Sequence, residues 1–347
     1  MSYPLRLNAT CPLQRALLLA FLVLSTAPLG AQTSSPGMQT ASPVAHTESL
    51  GSQIIGDPGT TTVPSTAISP SANNITVTAV VEHDFEADLK NGGNGNMSVN
   101  AFELYGNYGT HLTDRDQLIV SADYLYLNYH FDGTPEPFGN VEQIGATGWY
   151  THDFKSDFNM SPDFNWGVFG YLYGGFAAET AGSMSDGGQG AVALGPTVDV
   201  LKQLKLSFGP MYYSRIEEDG AFTIMADMRW DFLPQWSLEA YAGISDGATV
   251  TYDVFNDRKT LVDASLEYNR FWFATRDLPG GAEGGVEERN SMLKFGVRQA
   301  LSENFFVRGF ISAIFDRKYQ FHVNDNSAGS FEVDPTVGIG VELGVSF

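Results

Sequence analysis

The stretch that most limits what this chain can fold into is its end, VDPTVGIGVELGVSF over residues 333–347. Pro335, Val337, Ile339, Val341, Leu343, Val345 and Phe347 occupy alternate positions, and Thr336, Gly338, Gly340, Glu342, Gly344 and Ser346 fill the places between. Successive side chains of a β-strand point to opposite faces. The pattern therefore predicts a strand with one wholly apolar face and one small or polar face. A soluble sandwich strand would ordinarily close in polar residues, whereas here the apolar period runs to the last, aromatic residue. A tilted strand needs roughly 9–11 residues to cross the hydrocarbon of a membrane, and this segment supplies them.

Beyond the first thirty residues no run approaches the roughly 18 apolar residues of a spanning helix, which excludes a helical membrane protein. A barrel hides its membrane signal by alternation, so a mean hydropathy of −0.11 does not argue against insertion. The net charge of −21 excludes nucleic acid and anionic membrane surfaces as partners, since both require a basic face. Acidic excess in such a barrel is expected on outer loops and in the lumen.

Residues 1–31 read as a cleaved signal peptide. Arg6 and Arg15 give the positive region, Ala16 to Leu24 the apolar core, and Pro28-Leu29-Gly30-Ala31 the small-residue cleavage site. Cys11, the single cysteine, lies upstream of that core, whereas a lipid-attachment cysteine would follow it. The mature chain is thus expected to hold neither a disulfide nor a reactive thiolate. Residues 32–73 are mostly Ser, Thr, Pro, Gly, Ala and Gln with Glu48 and Asp57 the only acidic or basic charges, and predict a flexible periplasmic tail. The alternative, a lumen plug, would need more hydrophobic anchors.

From Asn74 the chain reads as strand after strand. The first, near 75–87, alternates Ile75, Val77, Ala79 and Val81 with Thr76, Thr78, Glu82, Asp84 and Glu86. The eighth sets Phe222, Ile224, Ala226, Met228, Trp230 and Phe232 against Thr223, Asp227, Arg229 and Asp231. Short links around Lys202-Gln203, Leu233-Pro234-Gln235 and Ser302-Glu303-Asn304 alternate with longer ones at 88–97, 132–139, 179–188, 274–289 and 321–332. Short periplasmic turns and long outer loops are what membrane barrels show. The expected fold is all-β: a transmembrane antiparallel up-and-down β-barrel over 74–347. It should have about 14 strands, or 12 if 236–255 makes fewer crossings. An even count brings both termini to the periplasm.

Tyr124, Tyr126, Tyr129, Phe131, Trp149, Tyr150, Trp230, Phe232, Trp236, Tyr268 and Trp272 lie near predicted strand ends, as interfacial girdles would require. Charges fall on the opposite parity. The expected lumen set is Glu82, Asp84, Glu103, Asp123, Asp227, Arg229, Asp231, Asp263, Glu267, Lys294, Arg298, Arg308 and Glu342, with Glu86, Asp199, Glu239, Lys205, Arg215 and Asp316 beside them. One Arg or Lys on the lipid face at mid-bilayer would cost roughly 2–4 kcal/mol. So many charges on one parity require a wet or mutually paired interior.

Catalytic and metal motifs are weak. Gly243-Ile244-Ser245-Asp246-Gly247 matches G-x-S-x-G, but the hydrolase elbow is a strand-to-helix turn and this is a hairpin tip. Zinc spacing is missing, and Asn324–Ser327 and the acidic 283–288 stretch, the candidates for Ca²⁺, lack the EF-hand pattern. No cofactor is expected.

Signal peptide, alternating strands, aromatic girdles and terminal Phe347 together resemble the outer-membrane β-barrel proteins of Gram-negative bacteria. The resemblance implies residence in outer-membrane lipid, and an assembly signal at Phe347 read by the barrel-assembly machinery through the last strand. It names no cargo. A passive channel for small solutes with an acidic, cation-favouring lumen is the first expectation. A structural or surface-interaction barrel with a closed lumen is the second. A lipid-modifying enzyme working through His83, His130 or His152 is the third, so that no enzyme is expected.

Overall fold

The computed structural model describes residues 74–90, 95–154, 165–180, 182, 184–201, 203–278, 282–323 and 326–347. The expected signal peptide and tail lie outside the described residues, as do Asn324 and Asp325 of the candidate Ca²⁺ loop.

The strands are β1 (Asn74–Lys90), β2 (Asn96–His111), β3 (Asp116–Asp132), β4 (Val141–Asp153), β5 (Asn165–Glu179), β6 (Gly188–Leu201), β7 (Leu204–Arg215) and β8 (Glu218–Leu233). They continue as β9 (Trp236–Ala242), β10 (Asp246–Asp253), β11 (Thr260–Leu278), β12 (Ala282–Ala300), β13 (Phe305–Val323), β14 (Asn326–Val333) and β15 (Thr336–Ser346). Each pairs antiparallel with its neighbour, and β1 closes the ring against β15 from Thr76↔Ser346 to Asp84↔Gly338. β14 and β15 both lie along β13 and are two halves of one crossing, broken at Asp334-Pro335. Pro335 has no N–H to give to a ladder. The result is a closed antiparallel barrel of fourteen crossings, as the alternation predicts.

The outer wall is apolar. On β15, Val337, Ile339, Val341 and Leu343 are exposed while Gly338, Gly340, Glu342, Gly344 and Ser346 are buried. Ile75, Val77 and Val81 do the same on β1, and Phe222 and Ile224 on β8. One ladder row passes through Asn128, Asn100, His83, Ile339, Ile311, Phe295, Ala264, Val250, Leu238, Trp230 and Leu204. It starts near the far end of β3 and finishes on the first residue of β7, so the strands are inclined to the barrel axis as closure demands.

Two sequence expectations fail over the same region. Residues 274–289 and 321–332 are not long loops, because β11, β12, β13 and β14 continue through most of them. The reason is that β11 loses its outward face there. β10 pairs with it only up to Tyr268, and beyond that point its free edge turns inward and meets β5 in a parallel pair, Ala274↔Ala178. Residues 271–275 of β11 and 284–288 of β12 are then buried on both faces. Without alternation the sequence gives no strand signal. This inward fold divides the far half of the barrel into two packed compartments. One is filled by Trp149, Phe169, Tyr171, Tyr213 and Trp272, the other by Tyr129, Phe131, Phe138, Phe273, Tyr319 and Phe331. Tyr129, Phe131, Trp149 and Trp272 are therefore interior packing and not members of an interfacial girdle.

Candidate functional site: the barrel interior

The inner wall of β1, β11, β12, β13 and β15 gathers most of the expected lumen charges into one ladder. Arg308 lies at its centre, donating from Nε to Asp263 Oδ2 at 3.0 Å and from Nη2 to Asp263 Oδ1 at 2.5 Å, with Nη1 3.4 Å from Glu342 Oε2. Next along the axis, Lys294 Nζ stands 3.5 Å from Glu82 Oε2 and 4.0 Å from Glu267 Oε2, while Ser312 Oγ donates to Glu82 Oε1 at 2.8 Å. Arg317 then bridges Asp84 Oδ2 at 2.6 Å and Glu288 Oε1 at 3.3 Å. Arg298 completes the set toward the termini, its guanidinium 3.9 Å from the centroid of the Phe306 ring, a cation–π arrangement. Lys294 and Glu342 are 0% exposed and Arg308 1%, so these charges are shielded from bulk solvent and lie against one another.

Glycines make this ladder possible. β12 runs between Asp263 and Arg308, and a Cβ on Gly296 would come within 2.6 Å of Arg308 Nε and 2.8 Å of Asp263 Oδ1. Glycine there lets the ion pair reach over an intervening strand. Gly340 and Gly344 of β15 serve the rings of Phe310 and Phe306, which lie 2.1 and 2.0 Å from where a Cβ would stand. The small, polar face of the last strand is thus a bed for long side chains from its neighbours.

Other expected lumen residues stand apart. Glu103 is buried on β2. Asp123 is partly buried and accepts Gln143 Nε2 at 3.0 Å. Asp227, Arg229 and Asp231 are half-buried on β8, where Arg229 Nε is 3.8 Å from Asp231 Oδ1 and 4.0 Å from Glu239 Oε1. Glu86 and Asp316 contradict the expectation, since both are exposed. A register shift between Asp84 and Ala87 turns Glu86 away and puts Ala87 inside. A second bulge at Asp316, whose φ is 55°, brings Arg317 in instead. Bulges change the parity of everything that follows.

Sequence reasoning also missed Glu287, Glu288 and Glu179. The first two lie in the stretch read as a solvated acidic loop, yet they are interior groups of β12. Glu287 accepts Arg270 Nη2 at 2.7 Å and a shorter bond from Arg289 Nη2. The histidines have oxygen partners: His83 Nδ1 is 2.8 Å from Asn100 Oδ1 and His152 Nδ1 is 2.7 Å from Asp116 Oδ1. His130 is exposed opposite Ser98. Gly243–Gly247 is the β9–β10 tip, where Ser245 Oγ accepts Arg270 N at 3.2 Å. Phe347 extends the closing seam by one residue, its N–H reaching Ile75 O at 2.9 Å.

The far mouth over the charge ladder is stopped by a loop. Residues 133–140 join β3 to β4 and fold inward, seating Phe138 at 1% exposure among six rings. Its centroid is 4.9 Å from Tyr129, 5.2 Å from Phe273, 5.3 Å from Tyr319, 5.4 Å from Phe131, 6.3 Å from Phe331 and 6.4 Å from Phe321. Buried Glu179 anchors the loop. Its Oε1 accepts Gly139 N at 2.5 Å, and its Oε2 accepts Thr275 Oγ1 at 2.7 Å. Thr180 N and Asn140 Nδ2 add bonds to Asn140 O at 2.7 Å and Tyr126 OH at 3.1 Å.

A closed barrel with an apolar outer wall and a charged inner one is a transmembrane β-barrel of the bacterial outer-membrane type. No family model and no curated protein matches the chain. Among solved structures it is similar to an outer-membrane channel of Pseudomonas putida F1, with 11% identity over 80% of this chain and 96% of the other and a TM-score of 0.44. For Omp33 of Acinetobacter baumannii the values are 12%, 79%, 98% and 0.43, and for a FadL homologue of Pseudomonas aeruginosa 13%, 85%, 94% and 0.42. Likeness at this level adds nothing to what strand order and wall chemistry already establish.

Proposed function

We propose that the protein is an outer-membrane barrel that passes small solutes and rests in a shut state, with loop 133–140 as its gate. The observation that carries this reading is the plug. The stopper of the far mouth is one loop ring, fixed by a few hydrogen bonds, over an interior built of charge. A barrel that only needed a core would bury apolar side chains, since replacing buried ion pairs with packed hydrophobes is often neutral or stabilising. The ladder holds Glu82, Asp84, Asp263, Glu267, Glu288 and Glu342 against Lys294, Arg298, Arg308 and Arg317, so a hydrated passage would favour cations. The second reading is a structural barrel with the ladder as its permanent core, favoured by how fully those charges are buried.

Planar-bilayer recording separates the two. The folded wild-type barrel is expected to open rarely, and Phe138→Ala to conduct steadily with cations preferred over anions. Silence from both proteins, each shown to be folded by its heat-sensitive gel mobility, would leave the structural barrel standing.

A further inference from the structure

We infer that Glu218, Glu287 and His322 form a binding site for a divalent transition-metal ion, with zinc the best fit, at the far mouth of the barrel. The site stands whether or not the passage conducts.

Three stretches distant in the chain bring the ligands together. Glu287 lies on β12 and His322 on β13, and His322 pairs with Gly285, two residues from Glu287. Both side chains therefore share one face of the β12–β13 pair. Glu218 comes from across the ring, where Ile216 and Glu217 turn β7 into β8. That turn leans onto β12, for a Cβ on Gly285 would stand 2.9 Å from Ile216 O and 3.2 Å from Ile216 Cγ2. Glycine at 285 leaves room for the turn that delivers the third ligand. One ligand atom of each residue lies within 4.8 Å of those of the other two. With ligands at 218, 287 and 322, no short motif announces the site.

The imidazole is what points to a ligand. His322 is 4% exposed, with Nδ1 3.4 Å from Glu218 Oε1 and Nε2 3.9 Å from Glu287 Oε2. Nε2 has no hydrogen-bond partner among the described residues. A neutral imidazole carries a proton on one nitrogen and a lone pair on the other. Whichever tautomer forms, a lone pair lies against a carboxylate oxygen, acceptor to acceptor. A cation between them turns that repulsion into bonds. Both separations fall within the roughly 4.2 Å that two metal–ligand bonds of about 2.1 Å can span. One imidazole with two carboxylates suits Zn²⁺ and its neighbours, whereas Ca²⁺ and Mg²⁺ take oxygen ligands.

Arginines already touch both carboxylates, and they sort into a support and two competitors. Arg270 donates from Nε and Nη2 to Glu287 Oε1 and leaves Oε2 turned to the histidine, as an outer-shell group would. Arg289, with a 36% exposed side chain, reaches Oε2 itself and must swing toward water when metal binds. Arg215 Nη1 is 3.0 Å from Glu218 Oε2 and has a second partner in Asp219 O. The acidic run Glu217-Glu218-Asp219 at the turn draws cations to this end.

The test titrates the untagged, chelator-stripped mature chain, folded in detergent micelles, with Zn²⁺ by calorimetry. The wild type is expected to bind a single equivalent, with Ca²⁺ at least about tenfold weaker. His322→Gln should abolish the saturable heat, and Glu218→Gln should weaken it at least about tenfold. Arg289→Gln removes a competitor and should tighten binding about two- to fivefold, the worth of an exposed ion pair. Co²⁺ should give visible d–d absorption in the wild type that His322→Gln lacks. Zn²⁺ should also raise the urea midpoint of the wild type and not of that variant. If His322→Gln does not fold, Glu218→Gln at its partly exposed turn takes its place. No zinc bound, or zinc bound equally by both variants, would overturn the site. So would a barrel that ignores zinc but gains stability between about pH 7 and pH 5, which would make His322 a charged clamp between the two carboxylates.

Discussion

Arg317 on β13 donates to Asp84 on β1 at 2.6 Å across the intervening last crossing, and does so only because one extra residue, Asp316, is inserted ahead of it. Up to Ile314 the even-numbered residues of β13 face inward. From Arg317 the odd ones do. The insertion stands beside the Asp334-Pro335 break in the partner crossing, so both irregularities share one height of the wall.

Asp316 takes φ 55°, a left-handed conformation that costs an ordinary residue about 1–2 kcal/mol and a glycine almost nothing. Asp316→Gly is expected to leave stability unchanged or slightly raised, and Asp316→Val to lose about 1–2 kcal/mol. Deleting Asp316 removes the bulge, turns Arg317 to the lipid and should abolish the folded barrel. Urea unfolding in micelles reads the first two. Loss of the mobility difference between boiled and unboiled samples reads the third.

Arg308 offers the sharpest energetic test of the ladder. Removing one partner of a buried ion pair strands the other and costs about 3–5 kcal/mol. Arg308→Met should therefore unfold at much lower urea, and adding Asp263→Asn should recover part of the loss. Gly296→Ala leaves every charge in place but drives a methyl into the pair. It should destabilise by about 1–3 kcal/mol, the ordinary cost of overpacking. A neutral Gly296→Ala would show that the ion pair does not need the gap over β12.

Val341 and Glu342 are adjacent and opposite in environment, one exposed on the outer wall and the other wholly buried. Val341→Arg should cost about 2–4 kcal/mol in a bilayer, if this mid-strand position lies near its centre. In the same assay Val341→Leu should be near neutral. Folding yield into liposomes of defined thickness measures both, and equal yields would contradict a lipid-facing β15.

Where one wall face meets lipid and the other the interior, the sequence is easy to read. β1, β8 and β15 show their parity openly, and their charges on the inner side follow from it. Legibility fails where that asymmetry is lost. Residues 271–275 and 284–288 are interior on both faces, so Trp272 reads as a girdle ring, the predicted strand stops at Phe273, and Glu287 and Glu288 read as part of a loop. Bulges hide a second class of residue, since nothing in the residues around Asp316 or Phe85 announces an insertion. Phe138 is hidden for a third reason. A lone aromatic in a Pro-rich loop carries no period, and only the fold shows that six rings surround it.

The contact between Ala178 and Ala274 joins two strands that are not neighbours in the ring, and it can be tested chemically. Both side chains are buried, at 0% and 6% exposure. Paired residues on parallel strands fall within the roughly 4.4–6.8 Å Cα separation that a disulfide spans. The only native cysteine, Cys11, lies in the expected signal peptide, so a chain begun after residue 31 has no competing thiol. Ala178→Cys with Ala274→Cys should oxidise almost completely, migrate faster on non-reducing gels, and gain up to about 4–5 kcal/mol from closing a loop of about 100 residues. If the gate is loop 133–140 and not this seam, the locked protein carrying Phe138→Ala should conduct as the unlocked one does. Conductance lost on oxidation and restored by reductant would mean that β5 and β11 must part for solute to pass, and would move the gate from the loop to the inward-folded hairpin.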